Sequence, residues 1–364
     1  MSLSLFAKER FIGIDIGHSN IKLAQVEPAG SKMKVTGVGI IPTPPGAVGD
    51  GVCTDPQSVG SAIRQAMREY GLSATTANVA VAGAPVVVRT VKMPAMPEAT
   101  LRKSIRFEAG RYVPSSVEDS YIECEVIGEL EDGQMEVLVV ASPKDLVESR
   151  VAAAEAAGLD VEIVDTESFA LFRTLVEMDQ AFHSWETAIA IVDLGDDQTK
   201  VSVVDGGRFA LTRCIPIGGR ALTQALQTYF KLSEEEAENG KHALDLRPLC
   251  VEEPMENPPL RVIQPMVDEL LREVRRSLNY FQSQQADQRQ ARAVSNIYLC
   301  GGGSLMAGAR DYFAHKLGLT VELPDPFDNP TFSSDISLPY GFANLSQIAL
   351  GLGVRRPSKV AVAA

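Results

Sequence analysis

The chain has 364 residues, more than one hydrophobic core usually serves, so two lobes are the expectation. It carries 34 Lys and Arg against 47 Asp and Glu, a formal net charge of −13. An acidic surface argues against a nucleic-acid binder, which must neutralise phosphates with Lys and Arg, and against a broad polybasic membrane surface.

In chain order, residues 11–16 and 21–26 read as strands joined by a Gly-containing turn, with a third strand over 34–41. Pro42, Pro44, Pro45 and Gly46 then open a loop to about Asp55. Residues 56–70 read as a helix with Val59, Ile63, Ala66 and Met67 on one face and Gly71 as its stop. Residues 78–82 form a buried strand. Residues 86–157 change pattern and read as a small β-α-β-β-α insertion: strand 86–91, helix 98–112, strand 121–127, turn 131–133, strand 134–141, helix 144–157. A strand at 161–165 and a helix at 167–177 follow.

The second half starts with a strand meander over 187–193, 199–205 and 208–215, turning at Asp205-Gly206-Gly207. A helix at 221–230 precedes a short acidic helix whose Ser233 and Glu236 have capping-box spacing. Residues 245–260 read as a loop, 260–284 as a long helix, 296–299 as a strand running into Gly301-Gly302-Gly303, and 305–317 as a helix. A strand at 320–323, a Pro- and Ser-rich loop at 324–338, a closing helix at 340–352 and a frayed tail at 361–364 complete the chain. No apolar run reaches the roughly 18–20 residues of a spanning helix, and residues 1–10 lack a secretory pattern, so a cytoplasmic protein is expected. The five cysteines stand singly and the four histidines form no zinc spacing, which suits reduced thiols.

The strongest signal is an internal repeat. Residues 14–23 and 192–201 both read as an apolar strand, Asp-x-Gly, three polar residues and a second apolar strand. Taken singly, each is compatible with an ordinary polar hairpin. Taken together, and followed by a Gly-rich strand-to-helix turn, they point to two similar lobes gripping one phosphate-bearing ligand. Gly17 and Gly195 let the backbone bend tightly. Free N–H groups of such turns cradle phosphate oxygens, and Ser19, Asn20, Gln198 and Thr199 add hydrogen bonds. Lys22 supplies positive charge, whereas Lys200 reads as a solvent-facing strand residue. Asp15 and Asp193, at the strand ends, are candidates to hold a hydrated Mg²⁺ shared with the phosphates. Gly301, Gly302, Gly303 and Ser304 let a flat group or phosphate approach the backbone.

These residues resemble the actin-like ATPase superfamily, which includes sugar kinases, DnaK-type chaperones and FtsA. The first hairpin (Asp15, Gly17, His18, Ser19, Asn20, Lys22) resembles its phosphate-1 motif, the second (Asp193, Gly195, Asp196, Gln198, Thr199) its phosphate-2 motif, and 301–304 its adenosine motif. His18 departs from the pattern, where a smaller residue is commoner. The resemblance implies ATP with Mg²⁺ as ligand, a water-positioning role for Glu167 beside Asp15 and Asp193, and an adenine-side role for Arg276 and Asn279.

Within the superfamily the chain is most similar to the PilM family of type IV pilus assembly. The likeness rests on residues 11–17, on Arg106-Phe107-Glu108 and Tyr112-Val113-Pro114, on 212–219, on 276–281 and on 301–303. It implies a two-lobed α/β fold related to ribonuclease H, divided into subdomain 1A (10–85, 158–185, 339–356), an inserted 1C (86–157), 2A (186–225, 295–338) and 2B (226–294). It further implies a scaffold with weak or no ATPase activity. Its expected partners are the N-terminal peptide of a PilN-like inner-membrane protein, bound between 1A and 1C, and other pilus platform proteins, with membrane contact only through them. Leu101, Ile105 and Tyr112 are candidate apolar contacts for that peptide. The alternatives are an FtsA-like filament protein and a small-molecule kinase. The tail at 354–364, interrupted by Pro357, is too short for a strong amphipathic anchor, and no motif stands out as a base for a substrate hydroxyl.

Overall fold

A computed structural model describes residues 10–113, 116–130, 133–179, 186–251, 256–284, 292–338 and 341–357. Pro114, the first two residues of the turn at 131–133, part of the loop at 245–260, the start of the closing helix at Tyr340 and the tail at 361–364 lie outside them.

The first lobe begins with β1 (Phe11–Ile16), β2 (Asn20–Ala29) and β3 (Lys32–Pro42), an antiparallel meander. Every residue of β1 is buried, as expected of a strand covered on both faces. The loop after β3 forms a two-strand ribbon, β4 (Val48–Gly49) and β5 (Val52–Cys53). Helix α1 (Pro56–Glu69) is capped by the Asp55 side chain, which accepts from the Ser58 N–H. It leads to β6 (Thr76–Val81), parallel to β1.

The insertion follows: β7 (Val87–Pro94), α2 (Glu98–Ala109), β8 (Ser120–Leu130) and β9 (Gln134–Pro143). Its strands lie in the order β7-β9-β8. Met93, Leu101, Ile105, Met135, Val137 and Val139 form a core of its own. Helix α3 (Lys144–Ala156), expected to belong to this unit, has its apolar face elsewhere: Ala153 and Ala154 share the first lobe's core with Ile12, Val59 and Ile63. Strand β10 (Asp160–Thr166) then pairs parallel to β6, and α4 (Glu167–Phe172) follows. The expected helix to residue 177 continues as a π turn over Arg173–Glu177, where Arg173 reaches Asp165 at 2.9 Å and the Gly351 carbonyl at 2.9 Å.

The second lobe repeats the plan. β11 (Ala188–Leu194), β12 (Thr199–Asp205) and β13 (Arg208–Ile215) form an antiparallel meander. Helices α5 (Gly219–Phe230), α6 (Glu234–His242) and α7 (Pro258–Gln284) pack beside it. The Ser233–Glu236 capping box opens α6 as expected. In α7, Leu260, Ile263, Val267, Leu270, Val274, Leu278 and Phe281 recur at helical spacing and make one buried stripe. β14 (Val294–Cys300) pairs parallel to β11, and β15 (Thr320–Glu322) parallel to β14.

Between them, the expected helix at 305–317 splits. A 3₁₀ turn spans Gly302–Leu305 and α8 spans Ala309–Leu317, separated at Gly308, whose φ of 74° ends any right-handed helix. The expected loop at 324–338 contains β16 (Phe332–Ser334), which adds to the edge of β3. The closing segment forms α9 (Phe342–Leu345) and a fully buried α10 (Gln347–Val354). The sheets therefore run β10-β6-β1-β2-β3-β16 and β13-β12-β11-β14-β15; read from β15, the second repeats the parallel, parallel, antiparallel, antiparallel order of the first five strands of the other, and β16 is an addition to the first lobe. Among the described residues no helix is long and apolar enough to cross a membrane.

Candidate nucleotide cleft

The two repeated hairpins face one another. In the β1–β2 turn the Gly17 N–H donates to the Asn20 carbonyl at 3.1 Å; in the β11–β12 turn Gly195 donates to Gln198 at 3.0 Å. A Cβ on Gly17 would stand 2.8 Å from the Asn20 carbonyl oxygen, and one on Gly195 2.7 Å from that of Gln198, so both turns demand glycine for space. His18 and Asp196, 178 positions apart, are equivalents in the repeat, and His18 Nδ1 lies 2.7 Å from Asp196 Oδ2. Arg220, at the start of α5, also reaches His18 Nδ1 at 2.7 Å. The turns thus touch across a cleft of about 510 Å³.

The cleft has a polar floor and an apolar side. Asp15, Gly17, His18, Ser19, Asn20, Lys22, Glu167, Asp193, Gly195, Asp196, Gln198 and Thr199 all line it. So do Gly301, Gly302 and Gly303. Gly301 adopts φ +78°, and a Cβ there would lie 2.3 Å from Asp193 Oδ1. Two predicted hydroxyls are spent on the fold: Thr199 donates to the Ile217 carbonyl at 2.7 Å and Ser304 to that of Gly301 at 2.7 Å.

Arg276 and Asn279 do not line the cleft. Both side chains are exposed, and Arg276 pairs with Glu273 on its own helix. The contact face of α7 lies earlier, at Met266, Val267 and Leu270, opposite Met306 and Phe313. This apolar bay suits a flat heteroaromatic group.

Lys200 is not solvent-facing but buried, with 7% of its surface exposed. It stands opposite Asp193 in the β11–β12 register, as Lys22 stands opposite Asp15 in β1–β2. Lys22 Nζ lies 3.0 Å from Asp15 Oδ2, and Lys200 Nζ 2.8 Å from Asp193 Oδ2. Lys200 has a second partner, Glu167, at the N-terminus of α4. Burial opposes the Lys200 charge, but Asp193 and Glu167 outweigh it and hold the ammonium well above its ordinary pKa. Burial pushes the Glu167 carboxyl above its usual value, Lys200 pulls it back, and Asp15 and Asp193 push it further up.

Arg150 of α3 was not foreseen as a site residue. It is buried with 3% exposed and donates to the Gly51 carbonyl at 2.7 Å and to that of Ile16, pinning the first turn from beneath. Nothing local in the sequence marks it, because its partners are backbone oxygens distant along the chain. Near the floor, burial pushes the Cys214 thiol up to about 11 and Cys300 well above its ordinary value, which disfavours their thiolates.

The arrangement fits a nucleotide: glycine turns open to phosphates, a helix-entry cradle and an apolar bay. It does not fit a divalent metal at Asp15 and Asp193. Each of these carboxylates already holds an ammonium, and among the described residues no three His, Cys, Asp or Glu side chains converge as metal ligands.

Two similar sheets facing each other through hairpin turns, with a small α/β insertion in the first lobe, define the actin-like ATPase fold. The chain is similar in structure to PilM in the PilM-PilN type IV pilus biogenesis complex, with a TM-score of 0.81, 23% identity, and coverage of 94% of this chain and 97% of that one. It is also similar to the ethanolamine utilization protein EutJ from Carboxydothermus hydrogenoformans, with a TM-score of 0.53, 18% identity, and coverage of 94% and 88%. The family model described as type IV pilus assembly protein PilM matches residues 13–357, and the chain belongs to that family. In sequence it is 24% identical to the cell division protein FtsA of Bacillus subtilis (strain 168) over 260 residues, a match spanning 65% of this chain and only 58% of that relative. It is 22% identical to FtsA of Streptococcus pneumoniae over 380 residues, spanning 93% and 81%.

Proposed function

We propose that this chain is a nucleotide-binding scaffold of type IV pilus assembly that takes ATP into its cleft and the N-terminal peptide of a PilN-like inner-membrane protein onto its insertion. The observation that carries the nucleotide reading is the contact of His18 with Asp196, which brings the two repeated turns face to face over the cleft. A ligand bridging these turns favours the closed arrangement by whatever it binds better there, and so can bias partner binding. The three buried carboxylates of the floor, Asp15, Asp193 and Glu167, are all ion-paired, which disfavours a kinase using one of them as a free base.

The peptide reading rests on family membership and on the insertion's surface. Leu101 and Ile105 are not available: both are buried in the insertion's own core. Tyr112 lies under the Arg89 guanidinium at 5.1 Å. The exposed apolar groups are Phe107 of α2, with 84% exposed, and Tyr121, Val126 and Ile127 on the edge strand β8. An edge strand flanked by apolar side chains suits an extended peptide.

Calorimetry with ATP tests the first half, on wild type and on Gly302→Val. A Cβ at Gly302 meets only Leu345 Cδ2, at 3.5 Å, so the fold accepts it while the added bulk intrudes on the cleft. ATP should bind the wild type and bind the variant about tenfold or more weakly; equal affinity counts against the cleft. Fluorescence anisotropy with a PilN-like N-terminal peptide tests the second half. Phe107→Ser should weaken the peptide and leave ATP unchanged.

A further inference from the structure

The lysine of the second hairpin sits between two carboxylates of the cleft floor. Along β12, Val201 and Val203 face the second lobe's core, while Lys200 and Val204 face the opposite side, where α4 lies. The β-ladder fixes this alternation, so Lys200 cannot turn outward without breaking its register with Asp193. Its ammonium contacts both Asp193 and Glu167, the carboxylates a cation at this place would take as ligands. Magnesium needs near-octahedral geometry, retains several waters and demands room for them. Fully buried Cys300 stands beside Asp193 in the β11–β14 register, and a Cβ on Gly301 would lie 2.3 Å from Asp193 Oδ1. On the floor, Lys22 pairs with Asp15, and Lys200 pairs with both Asp193 and Glu167.

Resting on the nucleotide reading above, we infer that Lys200 takes the place of the divalent cation: ATP binds without a metal requirement, and Glu167 serves as an ion-pair partner of Lys200 rather than as a group positioning water. The lysine is a positioning residue for the floor carboxylates and supplies the positive charge beneath the phosphates. Removing it frees Asp193 and Glu167 to act as metal ligands.

The test titrates ATP calorimetrically in excess EDTA and in excess MgCl₂, for the wild type and for Lys200→Ser. Electron paramagnetic resonance of Mn²⁺ in the presence of ATP reads metal capture directly, independent of turnover. The wild type should show affinities within about threefold of each other in the two media and no protein-bound Mn²⁺ signal. Lys200→Ser should bind ATP at least about tenfold more tightly with metal than without, and should show the bound Mn²⁺ signal. If that variant does not fold, Lys200→Ser combined with Glu167→Gln, which leaves Asp193 as the one carboxylate released from Lys200, takes its place. A wild type that loses about tenfold in EDTA, or binds Mn²⁺ with ATP, overturns the inference while leaving nucleotide binding intact. A metal-independent variant overturns the role of Lys200. Absence of ATP binding in both media overturns the nucleotide reading and this inference together.

Discussion

The two hairpins of the cleft start from one pattern and end in different environments. In the first, Lys22 pairs, among the described residues, with Asp15 alone and keeps 16% of its side chain accessible at the cleft wall. In the second, Lys200 meets the same strand partner, Asp193, and also Glu167 from the helix across the lobe boundary, and only 9% of its side chain is accessible. A repeated sequence therefore sets the cross-strand geometry in both lobes, and the neighbour brought in by the tertiary fold decides what each lysine does. The first remains available to an incoming anion. The second is committed to the floor.

The sharpest way to break this comparison is to remove each ammonium in turn. Lys200→Met leaves two buried carboxylates without their cation and should cost about 3–5 kcal/mol in urea unfolding. Lys22→Met strips one partner from Asp15 near the cleft opening and should cost about 1–3 kcal/mol. Equal losses would erase the distinction between the hairpins.

A smaller effect separates the floor carboxylates by pH. The folded state raises the Glu167 pKa above its ordinary 4.5, so the neutral form is favoured on folding. The stability it contributes is present below that value and is lost as pH rises through the raised folded pKa. Stability curves of Glu167→Gln against wild type should therefore diverge upward from about pH 4.5, with the wild type losing ground. Glu238, beside the cleft, has the opposite sign. Burial opposes its charge, but hydrogen bonds from Lys241 and Thr223 prevail and lower its pKa. Its contribution is present above the ordinary glutamate value and is lost as pH falls through the depressed one, a loss that Glu238→Gln should abolish.

The smallest expected effect concerns the contact between the hairpins. His18→Ala removes one partly exposed link between the lobes and should change stability by less than about 1 kcal/mol. It should instead widen the distribution of lobe separations measured by small-angle scattering. An unchanged scattering profile would mean that the turns are held together by the rest of the interface.

Much of the fold was readable because the signals are local. Fully apolar strands, the Ser233 capping box and the long helix α7 are set by neighbours a few residues away. The glycine turns of the two hairpins were readable for the same reason, as Gly17 and Gly195 are required by oxygens three residues on. The errors share an opposite cause. Arg276 and Asn279 sit on the right helix but away from its cleft face, which is decided by where α7 crosses the second lobe. β16 is three residues long and exists only because the edge of β3 is there to receive it. Helix α3 looked like part of the insertion because it follows β9 directly, yet its alanines find their cavity in the first lobe's core.

By itself, then, the sequence determined that two equivalent Asp-x-Gly hairpins would form, because register in a tight hairpin follows from turn length and side-chain alternation. Only the tertiary structure decided that His18 would meet Asp196 and that Lys200 would be sealed against Glu167. Those contacts join groups far apart in the chain, and their strength depends on exclusion of water, which no short stretch of sequence can specify.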